Sequence, residues 1–473
     1  MHEERDSFRE EDMSEALKQF KGSLISGRKK YFDVSEFEGI VDQLMEEGDL
    51  NASEIAVLQG MQIHPNAVAL QLKYAQILIS KGKYKQAQKY LNFAEKVEQQ
   101  NPDVYLLKGS ASLIVGKEKD ARKAFSRAIE LADDEADEIL YHIASVYTQV
   151  GEIKSAYQYL LQAYKINPKN DLVLYDLAFF SDQVGDYAKS IEYYNQFIDT
   201  DVYNYRAWFN LGIVLNKANQ PEKAIEAYEF ALAINENFHM ATFNIANALA
   251  NTGKFDEAIE KYKAFLKVEP ESDDAFCYLG ECYLNLQNNR EAEYNYRRAI
   301  KINPENDTAW FGLGLVMWIE QQYGESIVFV KKATSLDKNN SEYWLTLGKV
   351  YTDAKNTKEA VKAFKQGVKV DKENTEIWLT WAETLCNTDE KEKAEKVLIQ
   401  AIKQNDDSML KYRLVAFLLK NRRQKDALEW LKVALQQDFE NINYLYDIYP
   451  KSLKSKRLQK VVNDFIEAHP EVI

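Results

Sequence analysis

A chain of 473 residues, 46% of them apolar, with only 8 prolines and 18 glycines, is folded through most of its length and has little composition for long flexible linkers. Its 74 acidic residues outnumber 60 basic ones, and the formal charge of −14 disfavours general binding to nucleic-acid phosphates or anionic lipid. Cys277, Cys282 and Cys386 are too few for a secreted disulfide framework and have no paired CxxC spacing for zinc, so three reduced, packed thiols are expected.

Residues 1–33 begin MHEERDSFREED and are expected to form an acidic, partly helical segment. No apolar run follows, and no stretch approaches the roughly 18 apolar residues of a membrane span, so the expected location is cytoplasmic. From residue 34 onward the pattern repeats: Trp310, Trp344 and Trp378 stand 34 residues apart, as do Ala224, Ala258 and Ala292. Within residues 205–238, Trp208, Leu211, Gly212 and Leu215 share one helical face and define a first helix, A. After a turn around Asn219, Gln220 and Pro221, the stripe Ala224, Tyr228, Ala231 and Leu232 defines a second helix, B.

Laid along the chain, this frame predicts a tandem array over 34–441, with units starting near 34, 68, 102, 137, 171, 205, 239, 273, 307, 341, 375 and 409. Helix A has a small residue at Gly109, Gly212, Gly280, Gly314 and Gly348, or at Ala75, Ala144, Ala178, Ala246 and Ala382, where paired helices approach closely. The first small site of helix B departs from alanine only at Ser53, Ser190 and Ser326. Gly48, Gly82, Gly116, Gly151, Gly185 and Gly253 fall in the turn between A and B, where positive φ costs least without a β-carbon. Pro65, Pro168, Pro270 and Pro304 fall between repeats. Residues 442–473 are expected to cap the array, through an amphipathic stripe of Leu458, Val461, Val462, Phe465 and Ile466 that ends at Pro470.

The small residue of helix A, the paired alanines of helix B and the inter-repeat proline, at these offsets, resemble the tetratricopeptide repeat family. The resemblance covers most of the chain. It implies an all-α, right-handed superhelical solenoid of about twelve helical hairpins whose concave wall is made by the A helices. It also implies a non-catalytic scaffold or adaptor holding an extended peptide or partner surface. The chaperone-binding members grip an acidic carboxyl terminus with lysine, asparagine and arginine from consecutive repeats. Here position 5 never carries lysine, and Arg206 with Asn210 lacks the upstream partners, so that clamp is absent.

On the helix A face expected in the groove, position 5 carries Tyr141, Tyr175, Phe209, Phe243, Cys277 and Phe311 in six successive repeats, with Phe179 and Trp318 beside them. Aromatic rings bury large area with few rotors to freeze, so the row is a candidate partner-binding surface; packing on the neighbouring A helix is the alternative. Asn210, Asn244 and Asn247 stand nearby, able to donate to and accept from a peptide backbone, or simply solvated. They are similar to the asparagine ladder in the repeats of O-GlcNAc transferases, though position 6 carries asparagine only twice. Charges expected on this wall are Glu138, Asp176, Asp182, Asp274, Glu281, Glu342, Asp353, Glu376 and Glu383 against Arg206, Lys217 and Lys349, which favours an apolar or aromatic, neutral to basic partner.

No GxSxG, P-loop, HExxH or strand-linked GxGxxG is present, and the five histidines include no i,i+4 pair, so no enzyme, cofactor or metal is implied. Two other readings stay open. Lys451, Lys454, Lys456, Arg457 and Lys460 form a locally basic end that motivates a ribosome- or RNA-associated factor, although no aromatics are interleaved to stack bases. Imperfect terminal caps motivate self-association into a homo-oligomer.

Overall fold

The computed structural model describes residues 15–25 and 30–469. Residues 1–14 and 26–29 of the acidic amino-terminal segment, and Pro470, lie outside the described residues. The described residues are helical with short turns and contain no strand. They form two compact units, Met1–Glu236 and Asn237–Ile473.

The first unit holds six helical hairpins: Val34–Glu46 with Leu50–Ile63, Val68–Ser80 with Tyr84–Val97, Pro102–Ile114 with Glu118–Leu131, Ala136–Gln149 with Ile153–Ile166, Asp171–Gln183 with Tyr187–Thr200, and Tyr205–Lys217 with Pro221–Ile234. The second holds His239–Asn251 with Phe255–Val268, Asp273–Asn285 with Asn289–Ile302, Asp307–Ile319 with Tyr323–Leu336, Ser341–Asp353 with Thr357–Val370, Thr375–Asn387 with Lys391–Gln404, and Ser408–Lys420 with Gln424–Gln437. These are repeats 1 to 12. Each pair consists of an A and a B helix. The second unit closes with Ile442–Ile448, a 3-10 turn Pro450–Lys454 and the helix Lys456–Ala468, whose Leu458 and Val462 are buried.

Each hairpin turns through one residue with positive φ. In six repeats it is the glycine seen in the sequence, at φ between 71° and 82°. In the others Asn219, Gln287, Gln321, Lys355, Asp389 and Arg422 take the same role at φ between 58° and 63°. The turn is therefore set by the chain path between two packed helices, and glycine only eases it. At most of the glycine sites of helix A a ring from helix B fills the space above the backbone, and at Gly314 Val330 does so. A β-carbon at Gly212 would stand 2.4 Å from the Tyr228 ring, and one at Gly348 would stand 2.3 Å from Phe364. Where helix B has serine instead of alanine, the buried hydroxyl is satisfied: Ser190 donates across the hairpin to the Ala178 carbonyl at 2.7 Å and Ser326 to the Gly314 carbonyl at 2.8 Å, whereas Ser53 donates to the Asp49 carbonyl at 2.8 Å at the start of its own helix.

Successive repeats are joined by their turns. The indole N–H of Trp208, Trp310, Trp344 and Trp378 donates to the carbonyl of Val202, Pro304, Lys338 and Lys372, pinning each A helix to the turn before it. Asn170, Asn204, Asn306 and Asn374 cap A helices through their side-chain oxygens. Asn167 and Asn170 also donate to Asp137 at 2.9 Å each, and Asn303 and Asn306 repeat this on Asp273 at 2.8 and 3.0 Å. In each unit the B helix packs on its own A helix and on the A helix that follows, while several A helices also touch the next A helix directly. This places the free face of the A helices on the closer-packed side of the stack.

Candidate functional site

In the first unit the A face presents Tyr141, Tyr175, Phe179 and Phe209. Phe179 is 46% exposed, and the other three rings are half-buried. Their covered sides rest on helix B: Tyr175 meets Tyr194 and Phe197 edge-on, and Phe209 meets Tyr228 at 5.6 Å. Helix pairing therefore covers part of the Tyr175 and Phe209 rings, whereas Tyr141 and Phe179 meet His142 and Phe180 on their own helices. Asn210 donates its amide N–H to the Tyr175 hydroxyl at 2.8 Å, which ties the A helices of repeats 5 and 6 together and leaves the Asn210 carbonyl oxygen as an acceptor. Asp182 is held by Lys217 at 2.7 Å, whereas half-buried Asp176 has no ion pair among the described residues, and burial pushes its carboxyl above the usual range.

In the second unit Phe243 lies against Tyr262, Phe265 and, at 5.9 Å, Tyr278. Tyr278 is 39% exposed and sits between Asp274 and Glu281 on the same helix. Burial raises the carboxyls of both acids; the neighbouring Asp273 adds to the first, and Glu342 adds to the second. Asn247 accepts from the Tyr262 hydroxyl at 2.5 Å and keeps its amide N–H groups, and Asn244 is half-buried beside it. Trp318 donates its indole N–H to Asp353 at 2.8 Å, and Glu376 and Glu383 pair with Lys349 and Arg413 at 2.6 and 3.3 Å. Among the described residues Asp274, Glu281 and Glu342 have no such ion pair, so the negative charge of this wall gathers at repeats 8 and 10.

One position corrects the sequence reading, and a second, Cys277, is the packed thiol expected there. Phe311 is only 8% exposed, because the ring of Tyr343 from the next A helix covers it with centroids 4.5 Å apart. Position 5 lies on the seam between A helices, and repeat 10 places a large residue opposite it. Cys277 is 4% exposed, and burial pushes its thiol far above the ordinary range, so it contributes packing and no reactive surface. The aromatic row is therefore interrupted in the second unit.

Sequence reasoning missed Tyr278, although it occupies position 6 in register with Asn210 and Asn244. It also missed a hollow of about 590 Å³ on the A side of repeats 1–4, lined by Glu38, Lys73, Asp103, Ser110 and His142 among others. No single repeat shows that hollow, because four helices contribute to it. At the carboxyl end, Lys451, Lys454, Lys456, Arg457 and Lys460 are all exposed on the side of the cap away from buried Leu458, and Arg457 donates to Gln424 at 3.1 Å. Phe465, the nearest ring on that helix, is stacked on Phe439 and His469. At the other end Phe20, fully buried, packs edge-on against Phe32.

The tetratricopeptide repeat family models match residues 44–111, 137–170 and 205–238, spans that follow the helical hairpins. The chain belongs to the tetratricopeptide repeat family. A further family model, for the C-terminal domain of cilia and flagella-associated protein 70, matches residues 235–443 of the tetratricopeptide array. The array is similar in fold to a tetratricopeptide repeat protein from Parabacteroides merdae, at 16% identity over 53% of this chain and 98% of that one, TM-score 0.41. It is also similar to the C-terminal part of one from Cytophaga hutchinsonii, at 17% identity over 51% and 99%, TM-score 0.43. A third is MamA from Desulfovibrio magneticus, at 20% identity over 36% and 97%, TM-score 0.33. No curated protein matches. Tetratricopeptide repeats are generally non-catalytic modules, and the array is a protein–protein interaction scaffold. Among the described residues no cluster of His, Cys, Asp and Glu could hold a metal, and no helix is long and apolar enough to cross a membrane.

Proposed function

We propose that the array holds an extended partner segment against the free face of its A helices, and that the segment carries aromatic or aliphatic side chains together with lysine or arginine. The observation that carries this reading is at repeat 8, where an exposed ring, Tyr278, stands between two exposed carboxylates, Asp274 and Glu281, that no cation neutralises among the described residues and whose protonation the wall favours. An incoming cation recovers the electrostatic cost of those carboxylates, and the ring offers both apolar area and a π face to it. Phe243, Asn244 and Asn247 extend the same face. Tyr141, Tyr175, Phe179, Phe209 and Asn210 give the first unit a corresponding one. Asparagine amide groups not used internally serve the partner backbone.

The test is site-directed photocrosslinking. Benzoylphenylalanine at Tyr278 should capture a partner through an extended basic segment, whereas the same probe at Tyr294, 55% exposed on helix B of that repeat, should not. With the captured segment as ligand, Tyr278→Ala with Glu281→Gln should weaken binding at least tenfold while leaving the helical circular dichroism unchanged. Capture only from Tyr294, or unaltered affinity in the double variant, removes the reading.

A further inference from the structure

A second surface lies in the other unit-two helices, and nothing in the A-face reading uses it. The B helices of repeats 10 and 11 flank a cleft of about 540 Å³. Five lysines line it, Lys358, Lys362 and Lys365 from one side and Lys393 and Lys396 from the other, against the single carboxylate of Glu390. This local excess of positive charge stands in a chain whose net charge is −14. Lys362 is occupied by Glu359 at 2.7 Å, and Lys393 by Glu390. Lys358, Lys365 and Lys396 are exposed and have no ion pair among the described residues.

The floor is of a different kind. It is made by Val361, Leu385, Val397 and the indole of Trp381. Trp381 is 5% exposed, stacks on Trp378 at 5.6 Å, and its N–H finds no acceptor. The other tryptophans whose N–H bonds were followed above all donate, including Trp310, Trp318 and Trp344 on the two preceding A helices and Trp378 on its own helix. The indole ring supplies apolar floor, and its N–H is a buried donor without a partner.

We propose that this cleft is a docking site for an acidic segment of a partner protein in which aliphatic side chains alternate with glutamate or aspartate. Lysines at 358, 362 and 365 follow one face of a helix over roughly 10 Å, the length of two turns of a partner helix or three residues of an extended one. Carboxylates at that spacing reach the rim from above, and aliphatic groups between them meet Val361 and Val397. Lone phosphate satisfies the rim and leaves the apolar floor uncovered. A bilayer is too flat to follow a cleft between helices, and the overall charge repels anionic lipid. The acidic occupant distinguishes this site from the A face, which is itself acidic.

The test uses the full chain and a displayed library of twelve-residue peptides that vary acidic and apolar positions. Selection on the wild type should enrich segments combining carboxylates with leucine, isoleucine or valine. The variant Lys358→Glu/Lys365→Glu/Lys396→Glu breaks no internal ion pair and should bind an enriched peptide at least tenfold more weakly, whereas the Lys→Arg triple should retain it. Trp381→Phe should weaken binding several-fold with unchanged helicity. Failure to enrich acidic segments, or enrichment equal on the Glu triple, overturns the proposal. So does full competition by inorganic phosphate or by vesicles of phosphatidylserine and phosphatidylcholine. Because the enriched peptides are acidic, their loss says nothing for or against a basic segment crosslinked at Tyr278.

Discussion

Gly348→Ala puts the hairpin logic to its sharpest test. The new β-carbon would lie 2.3, 2.6 and 2.7 Å from three atoms of the Phe364 ring, which is fully buried and has no free direction in which to turn. Overpacking of this kind costs about 1–3 kcal/mol, and the helix propensity gained by replacing glycine offsets about 1 kcal/mol of it, so a net loss of up to about 2 kcal/mol is expected. The measurement is the thermal midpoint, together with hydrogen exchange in Ser341–Val370, where the loss should be concentrated because a repeat array opens locally. Phe364→Leu should itself cost about 1 kcal/mol or more. Combined with Gly348→Ala, however, it should cost less than the sum, because Ala75 with Leu91, Ala144 with Leu160 and Ala382 with Leu398 already use that pairing at the same offset, all buried. A Gly348→Ala protein more stable than the wild type, or strictly additive effects in the double variant, would refute the claim that the Phe364 ring excludes a side chain at Gly348.

The same substitution at Gly324 meets nothing within 4 Å and should stabilise by about 0.5–1 kcal/mol, read as a higher thermal midpoint. Lys355 holds φ at +60° in the turn of repeat 10, and Lys355→Gly should gain about 0.5–1 kcal/mol in urea denaturation, because the left-handed cost of a side chain exceeds the added unfolded-state entropy of glycine. Two acids should respond to pH with opposite sign. Burial would raise the Asp273 carboxyl, but donation from Asn306 and Asn303 outweighs it and holds the folded pKa below the ordinary value. Its stabilisation is therefore present above the unfolded pKa of about 3.9 and lost as pH falls through the lower folded value, so Asp273→Asn should cost about 1 kcal/mol at pH 7 and converge with the wild type in acid. Burial alone raises Asp176, so its charged form is a liability above that raised pKa: Asp176→Asn should be more stable at pH 7, by up to about 0.5 kcal/mol, with the gain vanishing as pH falls and the wild-type carboxyl protonates. Thermal melts of both variants across pH 3–8 check the two signs.

The hairpin array was legible because its causes are local and repeat. Trp310, Trp344 and Trp378 recur at the period of the fold because each donates to a carbonyl six residues back, a contact local in sequence that reaches only the turn between repeats. The glycine turns were legible for the same reason. Of the six turns without glycine only the one around Asn219 was placed from sequence, since Gln287 or Lys355 gives no compositional sign of a positive φ that packing imposes. The wall residues were legible as to face but not as to exposure. Whether position 5 stays open depends on a residue one repeat further on: Tyr343 covers Phe311, a pairing that lies 32 positions away and follows no repeat consensus.

Departures from the repeat are thus where this chain becomes specific. A consensus hairpin fixes the small sites, the turn and the capping asparagine, and leaves the outer positions of both helices free to vary without loss of the stack. The second unit uses that freedom in two opposite ways. On A helices it gathers Asp274, Glu281 and Glu342 beside an exposed ring, and on the B helices of repeats 10 and 11 it gathers lysines around a floor holding an unpaired indole N–H. Neither arrangement helps a neighbouring repeat pack: the carboxylates are exposed without a cation among the described residues, and the buried donor is left without an acceptor. Surfaces that carry an electrostatic cost and offer no packing return are the ones a bound partner would repay, and their opposite signs allow one unit to hold a basic and an acidic segment without competition between them.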